Sequence, residues 1–120
     1  MHVSAEDSLK QVDVNNEKPN LERGLRVLNK CLVCHTVEAG QTHAAGPNLY
    51  GVLGRKVGKV EGYKFSRALR KSEEIWTKEL LDEFVASPAE AIPRNRMAFS
   101  GLKNVTDRAS LIKALESLGE

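Results

Sequence analysis

A chain of 120 residues with a formal net charge of +2 and 41% hydrophobic residues fits one small globular domain. The slight positive charge makes no case for nucleic acid or a membrane surface as partner, and two cysteines exclude a disulfide-dense scaffold. Aromatic residues are only 5% of the chain, which leaves its core short of large groups.

Residues 1–19 read as a polar N-terminal extension, with a weak helix after Ser4, and residues 20–120 as the folded domain. The N-terminus has no apolar stretch of the signal-peptide kind, and no run approaches the roughly 18 apolar residues of a membrane span. A mature or recombinant chain is expected. Asn20 is a suitable N-cap for a helix whose stripe is Leu21, Leu25, Leu28 and Leu32. That helix runs into Cys31-Leu32-Val33-Cys34-His35.

Residues 36–62 hold six glycines, Gly40, Gly46, Gly51, Gly54, Gly58 and Gly62, a density that predicts loops and turns with positive φ. Short helices are expected beyond them. Leu80, Leu81, Phe84 and Val85 predict a helix from Thr77 to about Ser87, stopped by Pro88. The last helix takes Thr106 as its cap, Leu111, Ile112, Leu115 and Leu118 as its stripe, and Gly119 just past its end. With no strand-like alternation and no internal repeat, the predicted fold class is all-α and loop-rich, organised around a cofactor.

The order Cys-x-x-Cys-His reads as a c-type haem attachment site, with a zinc half-site, a redox dithiol and an accidental occurrence as the alternatives. On a helix, residues three and four apart share a face, so Cys31 and Cys34 can both reach the vinyl groups of one porphyrin while His35 turns its imidazole to the iron. A buried haem would also fill the aromatic deficit. A structural zinc site wants four ligands, and no second cysteine pair or His-x3-5-His pair exists here. A redox dithiol wants a preceding strand, and a helix precedes Cys31. For the second axial position Met97 is the candidate. It lies between the turn-like stretches Ile92 to Arg96 and Ser100-Gly101, from where its thioether can reach the opposite haem face. His43 is the competing ligand. Iron held by two protein groups has no open position for oxygen or peroxide, which points to electron transfer and not to an enzyme. No Ser/His/Asp set, phosphate-binding glycine motif or paired-carboxylate signature supports catalysis.

Taken in order, Cys31 to His35, Gly46-Pro47-Asn48-Leu49-Tyr50-Gly51, Gly54-Arg55-Lys56-Val57-Gly58, Trp76, and Ile92-Pro93 through Met97-Ala98-Phe99 resemble the class I cytochromes c. The likeness is to the mitochondrial and bacterial soluble mono-haem types and covers roughly residues 20 to 118. It implies a small loop-rich fold wrapped around one haem c, covalently bound through Cys31 and Cys34. It implies that the Pro47 carbonyl accepts from His35 Nδ1, that Arg55 and the Trp76 indole serve the haem propionates, and that Phe99 lies beside the haem edge. For Arg55 a solvated surface charge, and for Trp76 simple core packing, are the plainer readings.

The resemblance further implies a soluble carrier of single electrons between respiratory or photosynthetic partners, or alternatively a haem domain or subunit relaying electrons within a larger dehydrogenase or oxidase. A haem-based sensor or peroxidase would require Met97 off the iron. The implied partners are redox proteins, membrane oxidoreductase complexes among them, docking on a monomer near Lys30, Arg94, Arg96 and Lys103. The implied compartment is the bacterial periplasm, with the mitochondrial intermembrane space as the alternative. Residues 54–71 carry seven basic side chains and one acidic, whereas residues 72–92 carry one basic and six acidic, so the chain is dipolar. Glu90 interrupts the basic rim.

Three departures from the family pattern carry expectations of their own. Phe65 and Phe84 stand where tyrosines are common, which alters the haem surroundings and with them the potential. Arg94 and Asn95 replace a Gly-Thr pair before Met97, so a different loop conformation is expected there. Val27 and Ala114 replace aromatics where the terminal helices cross, so a smaller-sided and less stable crossing is expected.

Overall fold

A computed structural model describes residues 18–118, so the proposed helix after Ser4 and the position of Gly119 lie outside the described residues. Among the described residues five helices follow in chain order: α1 Leu21–Cys31, α2 Arg67–Lys71, α3 Lys78–Ala86, α4 Pro88–Ala91 and α5 Val105–Leu118. Among the described residues there is no strand, only an isolated antiparallel bridge between Lys56 and Ile75. The all-α, loop-rich expectation holds.

The helix starts follow from short polar side chains that satisfy otherwise orphaned backbone donors. Asn20 Oδ1 accepts from Arg23 N–H at 2.8 Å, Ser66 Oγ from Leu69 N–H at 3.2 Å and Thr77 Oγ1 from Leu80 N–H at 3.1 Å. The last helix departs from expectation. Its cap is Asn104, whose Oδ1 accepts from Asp107 N–H at 2.9 Å. Thr106 lies inside the first turn and is fully buried, with its hydroxyl unpaired. Pro88 does end α3, but it also opens α4, because proline's fixed φ and missing N–H suit a first helical position.

The leucine stripe of α1 is not its packed face. Leu28 is buried, but Leu21, Leu25 and Leu32 are 46%, 48% and 43% exposed. The face that packs is Gly24, Val27 and Leu28, with Cys31 at its end. The reason is Gly24. A β-carbon there would collide with the Ser110 carbonyl, so α5 approaches α1 at that point more closely than any side chain permits.

The small residues Val27 and Ala114 therefore belong to a tight crossing in which Ala114 is fully buried. Two polar links pin it. Asn20 N–H donates to Ser110 Oγ at 3.1 Å, and Arg23 Nε donates to Asp107 Oδ1 at 2.7 Å. The remainder of the core is Val52, Val57, Trp76, Leu81, Phe84, Val85, Leu111 and Leu115. Phe65 and Phe84 act as packing groups: Phe65 meets Tyr63 edge-on at 4.8 Å, and Phe84 meets Trp76 at 5.1 Å.

Candidate functional site

Helix α1 delivers the cysteine motif to the end of a rigid element. Cys31 is its last residue, and Cys34 N–H and His35 N–H both donate back to the Cys31 carbonyl, at 3.1 and 2.9 Å. This turn gathers two thiols and an imidazole within five residues. Burial, aided by the neighbouring Cys34, raises the Cys31 thiol above its usual range, against a smaller lowering by Lys30. Cys34 is exposed, and the two cysteines are not joined to each other.

His35 is held on its other side. Its Nδ1 lies 2.7 Å from the Pro47 carbonyl, which can only accept, so Nδ1 carries the proton and Nε2 presents its lone pair. Burial lowers the pKa of this imidazole below the ordinary 6.5; the Pro47 bond opposes that shift and the charge of Arg55 adds to it. Gly46 does not have the positive φ expected of the loop glycines, although Gly40, Gly51, Gly54, Gly58 and Gly62 do. Its role is steric: a β-carbon at Gly46 would strike ring atoms of His35.

The loop between His35 and Tyr50 closes on its own polar groups. Asn48, buried, donates from Nδ2 to the carbonyls of Glu38 and Gln41, both at 2.8 Å. Both nitrogens of His43 are engaged by backbone, Nδ1 accepting from Asn48 N–H at 2.9 Å and Nε2 donating to the Glu61 carbonyl at 2.8 Å. That occupancy removes His43 as a competing metal ligand. The sequence pattern alone assigns Asn48 no structural role, although Asn is the residue type that bonds to nearby backbone.

Arg55 and Trp76 are brought together by backbone pairing: Trp76 N–H donates to the Arg55 carbonyl and Gly54 N–H to the Trp76 carbonyl, each at 2.9 Å. Trp76 is buried against Phe84, so core packing is one of its roles. Arg55 is half-buried, reaches the Tyr50 carbonyl at 3.4 Å, and has its pKa lowered by burial.

Met97, half-buried, packs against the same core cluster as Cys31. A second residue to which the sequence pattern assigns no role is Asn95, buried between two exposed arginines. Its Oδ1 accepts from Met97 N–H at 2.6 Å while its Nδ2 donates to the carbonyls of Pro88 and Ile92, both at 2.8 Å. Phe99 is 40% exposed. Lys30, Arg94, Arg96 and Lys103 are all exposed, but Lys103 Nζ donates to the last carbonyl of α3, Ala86, at 2.7 Å, and Arg96 reaches the Lys64 carbonyl at 3.5 Å.

The donor set suits a c-type haem. Two unpaired thiols lie beside an imidazole whose Nδ1 is spoken for and whose neutral form burial favours. A thioether is available from a separate, anchored loop. Among the described residues no cluster of three or more His, Cys, Asp or Glu side chains could hold a bare metal ion.

No family model matches the chain. It is 47% identical over 88 residues to cytochrome c2 iso-2 of Magnetospirillum fulvum, covering 73% of this chain and 91% of that one. It is 43% identical over 83 residues to cytochrome c of Kluyveromyces lactis, covering 69% and 76%. Among solved structures it is similar to cytochrome cH from Methylobacterium extorquens, with a TM-score of 0.77 and 30% identity over 82% of this chain and 98% of that one.

Proposed function

The chain belongs to the class I cytochromes c, and from that premise we propose that it carries single electrons through an iron held between His35 and Met97. When bound, haem c joined through Cys31 and Cys34 supplies an iron that cycles between ferric and ferrous states. The observation that carries the reading is the 2.7 Å bond from His35 Nδ1 to the Pro47 carbonyl, because it fixes the tautomer and aims Nε2. Each residue of the chain then has a task. Pro47 and Gly46 orient the imidazole. Arg55 and Trp76, paired through their backbones, serve the propionates, and Phe99 lies at the exposed edge.

The basic residues Lys30, Arg94, Arg96 and Lys103 guide a redox partner with an acidic surface to that edge. Such an encounter is brief and weakens with salt. Among the described residues no helix is long and apolar enough to cross a membrane. The domain is residues 20–120, with 1–19 as an extension, and its place is the periplasm, where haem attachment escapes the reducing cytoplasm.

The test is Met97→Ala in the haem-loaded protein. The ferric charge-transfer band that reports methionine–iron bonding is lost, and the ferrous protein gains carbon monoxide binding at neutral pH. Survival of the band in the variant overturns the ligand assignment.

A further inference from the structure

Arg94 and Arg96 have φ of 66° and 69°, the only non-glycine residues with positive φ among those described. This left-handed region suits glycine, and side chains with a β-carbon rarely adopt it. Two such residues within a span of three need something that outweighs their preference. The residue between them supplies it. The Asn95 carboxamide is buried and uses both donor hydrogens and its oxygen: Pro88 and Ile92 carbonyls on one side, Met97 N–H on the other. The two carbonyls belong to the first residue of α4 and to the residue that caps its end. One side chain therefore fastens the Met97 backbone to a helix end.

We propose that Asn95 is the positioning residue for Met97, holding Arg94 and Arg96 in the left-handed conformation that they would otherwise leave, and so keeping the Met97 thioether where it can serve as a ligand. This rests on the reading of Met97 as the second axial ligand. Residue chemistry makes the assignment narrow. Aspartate keeps the oxygen for Met97 N–H but loses both donors and faces two carbonyls with a charge, serine has one donor, and alanine has nothing. The sequence pattern gave only a departure at Arg94-Asn95; the hydrogen bonds give it a purpose.

The test uses the haem-loaded protein and four variants: Met97→Ala, Asn95→Ala, Asn95→Asp, and Asn95→Ala combined with Arg94→Gly and Arg96→Gly. In Asn95→Ala the ferric charge-transfer band weakens or disappears. Carbon monoxide uptake by the ferrous form at neutral pH rises at least about tenfold, as expected when several hydrogen bonds are removed together. Amide hydrogen exchange accelerates at Met97 and not in α1 or α5. Asn95→Asp gives the same signs and carries the test should the alanine variant not fold. The added glycines restore part of the band, because glycine reaches positive φ unaided. An unchanged band and uptake in both Asn95 variants overturns the proposal, as does acceleration of all amides together, which would mean a merely structural role. A band that persists in Met97→Ala overturns the ligand reading itself. A band lost there but intact in Asn95→Ala overturns the positioning role alone.

Discussion

Gly46 lies against the His35 imidazole so closely that a β-carbon would come within 2.7 Å of Nδ1 and 2.8 Å of Nε2. The same ring is tied through Nδ1 to the next residue, Pro47. The ring cannot move away from position 46 without losing the Pro47 bond. Gly46→Ala is therefore expected to cost about 1–3 kcal/mol by overpacking. Chemical denaturation of the haem-loaded protein measures it, and a midpoint equal to wild type would show that the ring has room to yield.

Acidification works on the same imidazole. Burial holds its folded-state pKa below 6.5, so the unfolded chain binds the proton more tightly. The resulting stabilisation is complete above pH 6.5 and is lost as pH falls from there through the folded value. A metal-bound imidazole must also be deprotonated, which moves the loss the same way. A pH titration of the ferric Soret band should show loss of His35 ligation with a midpoint below 6.5. A midpoint above 6.5 contradicts it.

Asp82 and Arg108 tie α3 to α5 through a 2.8 Å contact, with side chains only 5% and 11% exposed. Arg108 also donates to the carbonyls of Leu102 and Lys103, at 3.0 Å each. Removing the carboxylate leaves a guanidinium with no counter-charge and little water. Asp82→Ala is expected to lower stability by about 3–5 kcal/mol. Asp82→Asn, which keeps one oxygen, should lower it less. Thermal unfolding of the two variants side by side checks both the size and the order.

Arg55 places a positive charge that acts on His35. A positive charge near the iron disfavours its oxidised state, so Arg55→Gln should lower the reduction potential by on the order of tens of millivolts. Equilibrium redox titration at low and high salt reads the shift, and an increase in potential would refute the argument.

The parts legible in the sequence were those fixed by local chemistry. Cys31 to His35 announced itself by spacing, and Asn20 and Thr77 cap as their side chains dictate. Four features depend on contacts away from the local sequence. The packed face of α1 is set by what Gly24 meets on α5, which a leucine stripe cannot reveal. Both Asn104 and Thr106 are able caps, and the fully buried position of Thr106 lets Asn104 take the role. The work of Asn95 needs Pro88 and Ile92 brought back beneath it. His43 reads in the sequence as a competing ligand, but the Glu61 carbonyl and the Asn48 N–H engage both its nitrogens.

The crossing of α1 and α5, locked at Gly24 and Ser110, divides the molecule by durability. Cys31, Cys34 and His35 lie at the end of this crossing, whereas Met97 lies on a short loop whose backbone is tied down by the Asn95 carboxamide. Under rising temperature or denaturant the loop is expected to give way before the crossing, at a fraction of the global unfolding free energy. On the proposed ligation, such a molecule would fail in an orderly sequence: it would forfeit Met97 while its prosthetic group stays tethered, and recovery would be a matter of re-seating five residues rather than refolding a chain.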